Sequence, residues 1–314
     1  MQIPGDVATP AESLSYILIR WASFTSFVLL IGAGVYLTFV QPRLHAAASG
    51  DRADRLAARV KATGRVTSIA VLVLAFARVR AQQSMMTESF GDDIPVALAD
   101  LLQGAWGLGV ALQLTAGVAG FVAYKRSRWG RAARVMVTIA IVTAALVPAL
   151  SGHAAGEEQP LLPMLADTLH VLAAGAWAGT LLVLAMVVLP GAWRGFDESG
   201  TGVKDVLVAF TPIALGSAAL LVVTGSYAAY LHVGSLAALT STRYGQALLW
   251  KVGFVVVMVG IGALNWKRLG PVAHTREGLP RLWRSALTES AIALLILAVT
   301  AVLVARGTPA DLFE

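Results

Sequence analysis

The 314-residue chain contains no cysteine and little charge. Without cysteine there are no disulfides, no thiolate metal ligands and no thiol redox chemistry. Charged residues make up 13%, about half the roughly 25% usual in soluble chains. Hydrophobic residues reach 57%, and the mean hydropathy is +0.72. No strand-like alternation persists, which argues against a membrane β-barrel. There is no nucleophile–base pair, phosphate loop or di-metal carboxylate motif, so an enzyme is not expected. Met1 to Glu12 carries no basic stretch, so a cleaved signal peptide is not expected either.

What the chain does contain is apolar runs near the 20 residues needed to cross about 30 Å of hydrocarbon. Eight recur, at about 14–40, 65–84, 101–123, 134–151, 162–189, 206–231, 246–266 and 285–305. These predict an all-α polytopic membrane bundle of eight transmembrane helices, forming one membrane domain over residues 1–314. The first run is overlong and is expected to tilt. Residues 51–64 carry arginines at helical spacing and predict a cytoplasmic connector helix.

The net charge of +6 is unevenly placed. Arg43, Arg52, Arg55, Arg59, Lys61 and Arg65 lie between spans one and two. Lys125, Arg126, Arg128, Arg131 and Arg134 lie between three and four, and Lys267, Arg268, Arg276, Arg281 and Arg284 between seven and eight. The alternate loops are acidic or nearly neutral. This is the pattern in which positive loops stay inside, and it predicts both termini outside. The basic excess therefore reads as a topology signal and not as a nucleic-acid surface.

Ionisable groups inside hydrocarbon cost about 2.5–3.5 kcal/mol each on insertion scales, so they usually have a function. Two of the five histidines sit close together in Ser151-Gly152-His153-Ala154 and Asp167-Thr168-Leu169-His170, just before Trp177-Ala178-Gly179. In the predicted topology His170 lies roughly 12 Å along span five from the outer side, and His153 ends span four at the same side. His232 ends span six there, Met85 and Met86 lie just beyond the outer end of span two, and Met164 precedes His170. Arg20, Arg78, Arg80 and Lys251 occupy the same outer level, with Asp167 as its main carboxylate. That surplus of positive charge favours an anionic ligand nearby, or arginines that snorkel to lipid phosphates. Met136, Met186 and Met258 read as packing. Towards the inside, Glu289 and Asn265 are the main candidate ligands.

Gly152-His153-Ala154, Leu169-His170 through Gly179, and Thr242-Arg243-Tyr244-Gly245-Gln246 through Lys251 resemble the copper-resistance protein D family. The resemblance is best over about residues 140–270 and weak over the first three spans. It implies an eight-helix protein of the bacterial inner membrane that moves copper from periplasm to cytoplasm. It also implies a periplasmic copper-binding partner of the copper-resistance C type. Matched onto this chain, the family's histidines fall on His153 and His170, its aromatic on Trp177 and its intramembrane lysine on Lys251.

The residues themselves agree with that chemistry. Two imidazoles with a thioether from Met85, Met86 or Met164 suit soft, low-coordinate Cu(I) better than Cu(II). His232 is a further candidate ligand. Asp167 could orient an imidazole through its second nitrogen, and Trp177 would shield the site. Lys251, Arg78 and Arg80 are expected as supporting charges. Two alternatives stay open: a bis-histidine haem protein whose basic residues hold the propionates, and a non-transporting assembly subunit of a membrane complex. No nucleotide-binding segment is present, so copper movement is expected to be downhill, driven by membrane potential or supplied by a partner.

Overall fold

In hydrocarbon the backbone's polar groups must bond within the segment, and long runs of Leu, Val and Ala accordingly form helices. The computed structural model describes residues 13–47, 50–90, 97–151, 160–194, 201–273 and 275–306. Among them are eight helices long and apolar enough to cross a membrane. They are α1 Leu14–Leu44, α2 Ala53–Thr87, α3 Gly104–Lys125, α4 Arg131–Ser151, α5 Leu161–Trp193, α6 Gly202–Val233, α7 Arg243–Val272 and α8 Gly278–Ala305. No strand occurs among the described residues. The eight-helix bundle expected from composition is present.

Residues 51–64 are helical and run without a break into the second span, within one helix over Gly50–Phe90. No proline interrupts them, and Gly64 lies against the ring of Tyr124. Lys61 Nζ donates to the carbonyl of Ser127 at 2.9 Å, and Arg65 Nη1 to that of Tyr124 at 3.4 Å. These bonds gather the basic start of α2 and the basic α3–α4 loop at one end of the bundle. His170 lies towards the opposite end, near the start of α5.

The central helix is α1. Its middle is buried from Ser26 to Leu37 apart from the half-buried Leu29. It meets α5 at a pair of glycines: a methyl on Gly32 would overlap the carbonyl of Gly179, and one on Gly179 the carbonyl of Val28. Small residues of this kind let two membrane helices approach backbone to backbone, where dispersion contacts replace the missing hydrophobic drive. Indole donors fasten the other side. Trp21 Nε1 donates to the carbonyl of Leu294 at 3.0 Å, and Trp283 Nε1 to that of Ala185 at 2.8 Å. Together they tie α8 to α1 and α5.

Most hydroxyls in the spans bond to the carbonyl one turn back in their own helix, as Ser23, Ser26, Ser68, Thr115 and Thr211 do. That removes their cost in oil without requiring a partner helix. Single π-helical turns interrupt α1 at Tyr36–Val40, α5 at Gly175–Gly179 and Leu184–Val188, and α7 at Asn265–Leu269. Such turns are frequent at functional sites, and two of them carry Trp177 and Asn265. The outward faces of α6 and α7, with Val222, Val223, Val256 and Val257 exposed, are suited to lipid.

Gly32→Ala is therefore expected to lower stability by about 1–3 kcal/mol through overpacking at the α1–α5 crossing. Gly216→Ala, where the added methyl meets nothing within 4 Å, should leave it unchanged or slightly raised. A thermal-shift comparison of the two variants in detergent checks this.

Candidate metal site

His170 points from α5 towards α6. Its Nδ1 lies 2.8 Å from Thr224 Oγ1, and that hydroxyl is 2.8 Å from the carbonyl of Leu220. A threonine hydroxyl has one proton. With the Thr224 proton donated to Leu220, its oxygen accepts from Nδ1–H, and a neutral imidazole then carries its lone pair on Nε2, an arrangement suited to ligating metal. Gly225 leaves room for the ring: a methyl there would stand 3.5 Å from His170 Cε1. Neither Thr224 nor Gly225 was singled out by the sequence, because one threonine among many in apolar helices has no distinguishing pattern. The nearest signal is the small residue beside a hydroxyl on the helix following the histidine.

Charged and ionisable groups lie at the same end of the bundle as this ring. Asp167, one turn earlier on α5, lies within electrostatic reach of His232 and Lys251. Lys251, on α7, acts on both His170 and Asp167. The opposite charges of Asp167 and Lys251 offset one another beside a neutral imidazole. Two turns further along α5, Trp177 is 8% exposed and packs in one buried cluster with Leu181 and with Met258 of α7, against Leu221 of α6. The indole thus closes the bundle beneath His170. Met164 is half-buried six residues before the histidine. The structure brings together His170, Asp167, His232 and Lys251 from α5, α6 and α7, with Trp177 below. His153 lies outside the described residues.

The other expected residues form a separate group. Met85 and Met86 are half-buried at the end of α2, a helix that packs chiefly on α1 and α3. They therefore rise on a different flank from His170. Arg78 Nη1 donates to Gln113 Oε1 at 2.6 Å and its Nη2 to Ser151 Oγ at 3.0 Å. Its guanidinium also stands 5.8 Å from the ring centre of Trp106. Gln113 is fully buried and passes its own amide proton to the carbonyl of Val71 at 3.1 Å. Arg80 turns outward to Gln83 Oε1 at 2.7 Å and joins neither group. Arg20 lies over the ring of Tyr16 at 4.4 Å, within electrostatic reach of Arg78, and its buried Nη1 has no partner. Tyr16 donates to Gln82 Oε1 at 2.6 Å. So Arg20 and Arg78 are held by neutral amides and aromatic faces, while Lys251 lies within electrostatic reach of Asp167.

Two family models match this chain: Copper resistance protein D over residues 204–303, and Copper resistance protein D-like, N-terminal domain, over residues 11–163. The chain belongs to the copper-resistance protein D family. The N-terminal match extends the likeness over the first spans, where the sequence motifs alone were weak. Residues 164–203, which carry Asp167, His170 and Trp177, fall between the two matched segments. The chain is also 31% identical over 166 residues to Copper transport protein CutJ of Bacillus subtilis (strain 168), an alignment covering 53% of this chain and 29% of that relative. The matched part is thus less than a third of the relative's length. No solved structure matches the chain.

If His170 ligates copper, Thr224→Val removes the hydrogen bond to its Nδ1 and should weaken copper binding by about 10–100-fold, the usual effect of removing an outer hydrogen bond to a metal-ligating histidine. The substitution keeps the side-chain shape, so the melting temperature should change little. Competition against a chromophoric Cu(I) chelator reads the affinity, and an unchanged value would make Thr224 purely structural.

Proposed function

We propose that this multi-pass membrane protein accepts copper near the outer ends of α5, α6 and α7 and passes it inward. The observation that carries the reading is His170, whose ring is locked by Thr224 with Nε2 free, in the part of the bundle where Asp167, His232 and Lys251 meet. Family membership supplies the metal, and the soft-ligand chemistry of imidazole with thioether favours Cu(I). His153, in the segment that joins α4 to α5, is proposed as a second ligand. His232 is proposed as a third, and Met164 as a thioether at the same end.

In this reading Asp167 and Lys251 form the electrostatic frame of the site. A monovalent ion beside a neutral imidazole then meets a carboxylate and an ammonium of opposite sign, rather than an uncompensated positive charge. Met85 and Met86, on the other flank, are proposed to meet copper before it reaches His170 and not to complete its coordination sphere. Trp177 limits how far the ion and any accompanying water penetrate.

The distribution of lysine and arginine supports placing the His170 end on the periplasmic side of the bacterial inner membrane, with both termini outside. A small periplasmic copper-binding protein of the copper-resistance C type is the proposed donor. The haem reading draws on one observation, the Arg20–Arg78 pair with its unpartnered Nη1, which is suited to carboxylates. It requires bis-histidine ligation and hence a Soret band in the purified protein.

Purified protein in detergent should bind Cu(I) with high affinity and show no Soret absorbance, and His170→Ala should remove the tightest-binding equivalent. Stoichiometric high-affinity binding retained by His170→Ala would exclude the site, and a Soret band in the wild type would favour haem.

A further inference from the structure

The chain has a further polar cluster inside the membrane, reached along the face of α7 that carries Lys251. Lys251, Met258 and Asn265 stand seven residues apart along α7, so they share one stripe, with about 21 Å between its ends. Most of α7 is exposed to lipid, yet Met258 is only 2% exposed. It packs in the cluster that contains Trp177 on one side and Ala286 and Ala293 of α8 on the other. Those alanines flank Glu289 by one turn each way.

Glu289 is 5% exposed, well within α8. One of its oxygens, Oε1, accepts from Asn265 Nδ2, whose amide oxygen in turn accepts from Ser285 Oγ at 2.7 Å. Ser285 therefore turns the amide so that its donor faces the carboxylate. The other oxygen, Oε2, has no hydrogen-bond partner among the described residues. It points at Gly262, where a methyl would stand 3.3 Å away. Gly262 lies one turn from Met258 and one from Asn265 on the same face of α7, so the glycine leaves a notch between a thioether and an amide. Apart from burial, the influence on this carboxylate is the Asn265 hydrogen bond, with no charged side chain acting on it.

A buried carboxylate without a counter-charge is costly in hydrocarbon. A monovalent cation would cancel its charge, whereas a divalent one would leave a net positive charge in the same apolar place. The thioether of Met258, one turn from Gly262 on the same helix, would favour a soft ion. Ser285 and Asn265 would fix the ligand oxygen in the way that outer hydrogen bonds fix metal-binding carboxylates.

We propose that Glu289 and Met258 form an inner station for Cu(I), with Asn265 and Ser285 as positioning residues and Gly262 as the space the ion occupies. The stripe Lys251–Met258–Asn265 is then the route from the His170 site past Trp177. This inference rests on the copper reading of the first site and gives the cargo a second foothold.

The test uses the full chain in lipid nanodiscs and a membrane-permeant carbodiimide, which modifies carboxyl groups in apolar surroundings. Labelling is mapped by mass spectrometry with and without Cu(I). Glu289 should be labelled in the empty protein, and labelling should fall about tenfold at free Cu(I) ten times the dissociation constant of the inner station. Met258→Leu, which keeps the volume, should weaken that protection. Glu289→Gln, which keeps an acceptor for Asn265, should lose a second, weaker Cu(I) equivalent while keeping the His170-dependent one. If Cu(I) binds through His170 but Glu289 labelling is unchanged, or Glu289 is never labelled, the inner station is wrong and the outer site stands. If the protein binds no Cu(I), both fall.

Discussion

In hydrocarbon a polar side chain has no water to turn to, and this scarcity decides where each ionisable residue of the chain rests. Serine and threonine hydroxyls solve the problem alone by bonding to the preceding turn. Larger groups cannot, so they gather across helices. The arginines of α1 and α2 find amides and aromatic faces, Asp167 and Lys251 lie within electrostatic reach of one another, and Glu289 finds Asn265. Thr224 is the place where these two solutions meet. Its hydroxyl bonds to its own helix at Leu220 and to His170 of α5, so one side chain both satisfies itself and orients the ring.

The packing makes the polar arrangement possible. The Gly32–Gly179 crossing brings α1 and α5 into backbone contact, and the π-helical turn that ends at Gly179 carries Trp177 into the core. With α5 anchored in this way, its start presents His170 to α6 and Asp167 to α7. The indoles of Trp21 and Trp283 hold α8 against α1 and α5, which places Glu289 opposite Gly262. Stability and site geometry therefore use the same contacts. Disturbing the glycine crossing would move the histidine as well as weaken the bundle.

Much of the fold was legible in the sequence, because hydropathy over 20 residues is a strong signal and the apolar runs are well separated. The second span was harder, since arginines precede its apolar part and helix Gly50–Phe90 extends well beyond the hydrocarbon-length run. The outer cluster was legible in part. Ionisable residues in apolar runs are conspicuous, so Asp167, His170, His232 and Lys251 stood out, and the structure brings them together. Depth along a helix can be counted, but the flank cannot, and the sequence did not show that Met85, Met86 and Arg80 rise from a helix packed chiefly on α1 and α3. Met258 looked like packing because a lone methionine carries no pattern. Its burial on an otherwise exposed helix becomes visible in three dimensions. Thr224 and Gly262 escaped for the same reason: each matters through what faces it.

The account stands on His170 offering its Nε2 to copper while Thr224 holds the opposite nitrogen. The most direct measurement is a structure of the Cu(I)-loaded protein with the metal located by anomalous scattering. The account predicts a copper peak at bonding distance from His170 Nε2, with the Nδ1–Thr224 bond intact. A copper peak elsewhere, with His170 unmetallated and still bonded to Thr224, would contradict it.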